Sequence, residues 1–384
     1  MQKVSITSFA SISSLGSDIN KVWENYLSPK HSLSQRIYSD IETFVGAIPS
    51  ELESEIRDLR NSDLKYKPLD RSVLLGILTA RKAVKLSGWS SGDFGINLGS
   101  SRGATELFEK YYDSFLENQK AETLTSPTTT LGNLSTWIAH DLQSVGPTIT
   151  HSITCSTALH AVLNGVAWIN SGMNEKFLVG GTEAPLTNFT IAQMKALKIY
   201  ADNKDQYPCK TLDFAKKRNT MVLGEGAAVF CLESGIKENA LALIEGVGYA
   251  TEQLKHNISI SDDADCFQKS MTMALKGQNL DTIDAIVMHA PGTIKGDTSE
   301  YNAIDQIFGK SKPALTSNKW KIGHTFGASG ALSLELALLM IQNQKFIPVP
   351  FIEESQIPNQ INKVLVNAVG FGGNAVSILV SRTD

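Results

Sequence analysis

Residues 150–165 read THSITCSTALHAVLNG. β-Branched residues dominate up to Thr154, and from there apolar residues recur at helical spacing: Leu159, Val162, Leu163 and Val166, then Ile169 beyond the quoted stretch. The pattern predicts a strand over PTITHSIT that turns at Cys155 straight into a helix over STALHAVLNGVAWINSG. A cysteine at such a junction faces backbone N–H groups and the positive end of the helix dipole, both of which favour thiolate. The plainer alternative is a small buried hydrophobe with an inert thiol. On this stretch alone both readings stand.

Strand-like and helical runs alternate on either side. KVSITSFA opens as a strand, DINKVWENYL follows as an amphipathic helix with Asp18 near its cap, and SELESEIRDLRNSDLKYKP is charge-rich and expected to be exposed. DRSVLLGILTARKAVKLSG reads as a long, largely buried helix, FGINLGSS, FLVGG and MVLGEGAAVFCLES as strands. After Gly235 the pattern restarts with ALALIEGVGYA, a helix near 264–277, the strand DAIVMHA, the helix TSEYNAIDQIFG, the strand PALTS, the helix GALSLELALLMIQN and finally KVLVNAVGFGGNAVSILVS. This predicts an α/β protein with helices covering buried sheets, in two related halves, 1–235 and 236–384. No glycine-rich phosphate loop follows the first strand, which weakens a nucleotide-binding reading.

Composition sets the outer limits. The 384 residues are 42% hydrophobic and 19% charged, enough for a large core. With 35 basic and 39 acidic side chains the net charge is −4, so nothing global favours nucleic acid or an anionic membrane. The opening MQKVSITSFASISSLGS lacks the apolar core of a secretory signal. GALSLELALLMI is too short, and too interrupted by serines and Glu335, to span a bilayer. A soluble, cytoplasmic protein is expected. Cys155, Cys209, Cys231 and Cys266 form no C-x-x-C pair, so neither a zinc site nor a disulfide framework is expected. His31, His140, His151, His160 and His256 show no ligand spacing and are assigned structural or surface roles.

Three further segments stand out. His289 ends a strand in VMHAPGTIKGDTSE, His324 sits among small residues in SNKWKIGHTFGASGA, and NAVGFGGNAVSILV is a tight turn between two strands. A strand-end histidine is more often structural than catalytic. Two of them, each beside a glycine-rich turn, are harder to set aside.

With Cys155, these segments resemble, in order, the nucleophile turn, the H-G-T-x-T-P-x-G-D-x-x-E loop, the K-x-x-x-G-H loop and the closing G-F-G-G turn of the elongating β-ketoacyl-acyl carrier protein synthases of the thiolase superfamily. SSLG, DRS (70–72), GGTEA (180–184) and LGEGA (223–227) extend the resemblance over nearly the whole chain. It implies a five-layered αβαβα thiolase-like fold, the first half carrying the nucleophile and the second both histidines. It implies decarboxylative condensation of an acyl group on Cys155 with malonyl-acyl carrier protein, giving a 3-oxoacyl-acyl carrier protein. His289 and His324 would be the enolate-stabilising pair, Lys319 an electrostatic organiser, Phe371 the acyl gate and an oxyanion donor with Cys155, and Thr293 a contact for pantetheine. No metal is implied, and no cofactor beyond the phosphopantetheine of the carrier protein. The implied partners are that carrier protein and a second subunit, in a homodimer or a heterodimer with a related synthase subunit. A second histidine at 324, where initiating synthases carry Asn and thiolases a Cys, favours elongation.

The chain departs from the family at Ala290-Pro291, where Gly-Thr is usual, and at Ser333, where an acidic residue is usual, with Glu335 two positions on and so on another helix face. These departures favour a dedicated polyene or polyketide-like pathway as the alternative to general fatty-acid elongation. A non-catalytic chain-length partner is the other alternative. Lys65 and Lys67, and the run Lys216-Lys217-Arg218, are candidate contacts for an acidic carrier protein, or simply solvated faces.

Overall fold

The structure, a computed structural model, describes residues 2–90, 92–202, 205–253, 260–352 and 357–383; His256 lies outside them. The strands of the first half are β1 (Val4–Ile12), β2 (Ser34–Tyr38), β3 (Ile41–Val45), β4 (Gly95–Gly99), β5 (Thr148–Ile149), β6 (Lys176–Glu183) and β7 (Gly226–Ser234). Those of the second are β8 (Ala242–Thr251), β9 (Ala285–Val287), β10 (Ala314–Thr316), β11 (Lys363–Gly370) and β12 (Asn374–Ser381).

Two five-stranded sheets result, ordered β1-β7-β6-β4-β5 and β8-β12-β11-β9-β10. In both, the first three strands pair antiparallel and the last three parallel. The pattern is therefore repeated strand for strand. β5 is followed by the helix Thr157–Asn170, and β10, after the short helix Lys319–Ile322 and the turn Phe326–Ala328, by the helix Ser329–Asn343.

These two helices form the middle layer. Leu159, Val162 and Val166 of one and Leu332, Leu334 and Leu336 of the other share an apolar core with Phe177 and Val179 of the first sheet and Val364 and Val366 of the second. The alternate residues point outward, as a two-residue strand period requires. Leu178 packs against the helix Arg71–Ser87, and Leu365 against the helices Asp265–Ala274 and Ile294–Phe308. The layers run αβαβα. Ser329–Asn343 is buried on every side from Ser329 to Ile341 and so needs no amphipathic stripe.

Local signals place the ends. Asp70 accepts the Ser72 N–H at 2.8 Å to cap Arg71–Ser87, and Gly88 closes it in a left-handed conformation. Asp18 caps Ile19–Leu27 in the same way. Two expectations need correction. Of PTITHSIT only Thr148–Ile149 is strand, because the chain leaves the sheet for a turn in which Thr154 takes φ +48°. The charge-rich stretch contains the helix Ser50–Ser62, which buries Leu52, Ile56 and Leu59. No helix among the described residues is long and apolar enough to cross a membrane.

Candidate active site

Cys155 is set by the turn before its helix. The Thr157 hydroxyl accepts the Ile153 N–H at 2.8 Å and donates to the Thr154 carbonyl at 2.6 Å, so side chain and backbone close the turn together. His289 lies two residues beyond β9. Its N–H and that of Ala290 donate to the two oxygens of Glu300, at 3.0 and 2.8 Å, and the Asn367 side chain adds a third bond at 3.2 Å. His324 follows the short helix Lys319–Ile322; its N–H donates to the Val222 carbonyl at 2.6 Å, and its carbonyl accepts the Gly224 N–H at 3.0 Å. LGEGA thus braces the second histidine. Phe371 occupies the tight turn between β11 and β12.

These segments, distant in the chain, meet. Cys155, His289, Thr293, His324 and Phe371 all line one cavity of about 170 Å³, together with Pro291 and Phe326. The imidazoles stand almost at right angles, 87°, with ring centres 5.2 Å apart. Lys319 does not line the cavity. It lies buried nearby, its Nζ without a hydrogen-bond partner among the described residues.

Burial governs the charge states. It pushes both imidazoles well below their usual range, and the Lys319 charge pushes the same way, so both rings are neutral near pH 7. Burial raises the Glu300 carboxyl and lowers the Lys319 ammonium, each partly offset by the other's charge. The Cys155 thiol is pushed up to about 12, by burial first and then by the Glu183 carboxylate, with Lys319 opposing. The expected preference for thiolate at the helix start is therefore overridden: Cys155 is 6% exposed, and desolvation outweighs the dipole.

The departures take definite form. Ala290 is buried with φ +24°, a backbone where glycine would be unstrained, and its carbonyl accepts the Thr211 hydroxyl at 2.6 Å. Pro291 faces the cavity. Thr293 caps the helix Ile294–Phe308 by accepting the Gly296 N–H at 3.1 Å, while still reaching the cavity. Ser333 Oγ is buried without a partner among the described residues. Glu335 is no substitute: it is fully buried but turned toward β1, accepting from Ser11 and, at 3.3 Å, from the Tyr26 hydroxyl.

The basic candidates divide. Lys65, Lys67, Lys217 and Arg218 are exposed, but Lys216 is a correction. Its side chain is 3% exposed and binds the fully buried Asp297 at 2.7 Å, so it shapes the His289 loop instead of meeting solvent. Asp297 also accepts the Gly292 N–H at 2.9 Å. Of the other histidines, His31, His151 and His160 bond backbone carbonyls, and His140 packs against Trp137. Sequence reading did not single out Glu183, although GGTEA was the signal for it. Buried at the end of β6, it accepts from Ser100 Oγ and from the N–H groups of Ser101, Arg102 and Gly327.

A thiol and two neutral imidazoles on one cavity of a repeated αβαβα framework mark a thiolase-like protein equipped for acyl chemistry. Comparison with known proteins specifies the family. The family model described as "Beta-ketoacyl synthase, N-terminal domain" matches residues 1–237, and "Beta-ketoacyl synthase, C-terminal domain" matches residues 241–353. The chain belongs to the β-ketoacyl synthase family. It is 27% identical to 3-oxoacyl-[acyl-carrier-protein] synthase 2 of Coxiella burnetii, with 99% of each chain covered, and 26% identical to the Staphylococcus aureus (strain N315) protein of that name, with 98% of each covered. Among solved structures it is similar to the ishigamide ketosynthase/chain length factor (TM-score 0.87, 22% identity, 100% of each chain) and to a β-ketoacyl synthase from Burkholderia phymatum (TM-score 0.85, 20% identity, 100% of each chain).

Proposed function

We propose that the protein is an elongating 3-oxoacyl-[acyl-carrier-protein] synthase. The observation that carries this reading is the convergence of Cys155, His289 and His324 on one cavity, with both imidazoles held neutral by burial.

The chemistry follows from those states. Cys155 attacks the thioester carbonyl of an acyl carrier protein; the C–S bond to the enzyme forms, and the carrier's sulfur leaves with the proton. The buried thiol enters this step protonated, so its proton leaves as the bond forms. N–H groups of Cys155 and Phe371 are the proposed oxyanion donors. Malonyl carrier protein then loses carbon dioxide, and the electron pair of the broken C–C bond becomes an enolate. Two neutral N–H donors suit a developing enolate oxygen, and His289 and His324 take that role. The enolate carbon attacks the acyl–Cys155 carbonyl, the C–S bond breaks, and a 3-oxoacyl carrier protein leaves together with the Cys155 thiolate, which takes its proton back from solvent. Lys319 acts through its field on both rings. Thr293 meets the pantetheine arm, and nothing in the reaction calls for another cofactor.

Incubation with acyl and then malonyl carrier protein tests the reading. An acyl adduct on Cys155 followed by a 3-oxoacyl product is expected; no adduct and no carbon dioxide release would overturn it and favour a non-catalytic partner subunit.

A second reading, a dedicated polyene or polyketide-like pathway, is favoured by Pro291 on the cavity wall and by the Ser333 hydroxyl, which has no partner among the described residues. A strong preference for saturated over polyunsaturated acyl carriers would sink it. Halves at 1–235 and 236–384, a cytoplasmic location and pairing with a second copy or a related subunit complete the proposal. Solved structures similar in fold include an acyl-carrier protein in complex with its ketosynthase.

A further inference from the structure

Glu183 is fully buried, and no ion pair to it exists among the described residues. It accepts Ser100 Oγ at 2.8 Å, the Ser101 N–H at 2.7 Å, the Arg102 N–H at 3.1 Å and the Gly327 N–H at 2.8 Å. A buried carboxylate is costly unless its lone pairs are filled, and a filled network stiffens what it joins. Here it joins the turn after β4, in the first half, to the turn Phe326–Ala328 of the second half, three residues beyond His324.

That second turn is strained. Phe326 holds φ +41°, a conformation that costs a non-glycine residue about 1 kcal/mol and persists only where its surroundings enforce it. Its ring stands 5.5 Å from that of His324, 5.9 Å from the Arg102 guanidinium, and on the cavity wall with Cys155. The next residue, Gly327, is pinned by Glu183; a Cβ there would sit 2.6 Å from the carboxylate and overlap the Ser101 nitrogen.

The geometry points to Glu183 as a positioning residue: by gripping the turn after β4 and Gly327 together, it holds Phe326 and His324 at a fixed place relative to Cys155. The inference rests on the condensing-enzyme reading above. A second effect accompanies it. The Glu183 charge disfavours the Cys155 thiolate, and burial raises Glu183 itself to about 7, so that charge is present above neutral pH.

Glu183→Gln and Glu183→Asp separate the two effects. Gln removes the charge and places an NH2 where backbone N–H groups need an acceptor; Asp keeps the charge but shortens the reach to Gly327. The readouts are the rate of Cys155 alkylation by iodoacetamide at pH 8.5 and the kcat and KM of condensation. Glu183→Gln is expected to alkylate roughly threefold faster or more, since one pK unit is a tenfold change in thiolate, and to lose about tenfold in kcat with KM nearly unchanged. Glu183→Asp is expected to lose kcat while alkylating at the parent rate. A kcat within about twofold of the parent in both variants would overturn the inference. If Glu183→Gln fails to fold, the kcat of Glu183→Asp decides alone. If the parent forms no 3-oxoacyl product, the functional reading has failed, and hydrogen exchange of the Phe326–Ala328 turn then judges Glu183 by itself: unchanged protection in Glu183→Gln overturns it.

Discussion

Thr154 donates its hydroxyl to the Phe371 carbonyl at 3.3 Å, tying the Cys155 turn to the closing glycine-rich turn across 217 residues of chain. The neighbouring Gly370 has no room for a side chain. A Cβ there would overlap Thr154 Oγ1 and lie 2.9 Å from the Ile153 carbonyl oxygen. Gly370→Ala must therefore move the turn that carries Cys155. Since a misplacement of about 1 Å costs roughly a hundredfold in rate, acyl loading of Cys155 should slow by about that factor. Intact-mass time courses of the adduct check this; loading within a few fold of the parent would refute it.

Lys319 should matter through its charge. Its buried ammonium has no hydrogen-bond partner among the described residues, lowers both imidazoles and opposes the rise of the Cys155 thiol. Lys319→Met removes all three effects. The thiol then moves further up, so iodoacetamide alkylation at pH 7, where the ammonium is still charged, should slow by a few fold, and condensation should weaken. Stability should change less than on loss of a bonded pair, because no hydrogen bond to the ammonium is lost among the described residues, although the buried Glu300 carboxyl loses the charge that offsets its burial. Unchanged alkylation would show that Lys319 exerts no field at the sulfur.

Lys216 gives the contrasting case. Removing it as Lys216→Met strands the fully buried Asp297, which also holds the Leu212 and Gly292 N–H groups. Loss of one partner of a buried pair costs about 3–5 kcal/mol. Urea unfolding should show that loss, whereas the exposed Lys217→Glu should stay within about 0.5 kcal/mol of the parent.

Glu335 predicts a pH dependence of stability. Burial raises its carboxyl from 4.5 to about 7, so between those values the folded state holds a proton that the unfolded chain has released. Its contribution is fully present below about pH 4.5 and is lost as pH rises to about 7. Glu335→Gln, which cannot ionise, should be more stable than the parent at pH 8, on the order of 1–3 kcal/mol, with little difference near pH 4.5. Chemical denaturation at the two pH values measures it; an equal difference at both would remove the assignment.

Much of this architecture is legible in the sequence because strand and helix periods differ and the sheets are buried on both faces. The strand–helix alternation restarting after Gly235 matches the second sheet, and four spaced segments name Cys155, His289, His324 and Phe371. The hairpin β2–β3 escaped notice. Its residues are mostly exposed, and its turn, Ser39-Asp40 with both φ values positive, lacks the glycine that usually advertises such a turn. The helix Thr105–Asn118 was also missed; it exposes Phe108, Tyr112 and Leu116, which blurs its amphipathic pattern. Lys216 was misread because a lysine in a basic run looks solvated until its distant carboxylate is known. Glu183 stands out only through GGTEA, because three of its four partners are backbone N–H groups, which leave no mark on residue identity.

The strand-for-strand repeat has a mechanical consequence. One sheet's repeat carries Cys155 and the other His289 and His324, so the tolerance of the proposed reaction rests on how stiffly the central pair of helices locks the two sheets together. Trimming Leu159 or Leu334, both sealed in that interlayer, should erode turnover at temperatures where the fold is still intact, making rigidity of the midplane a determinant of rate as much as of melting.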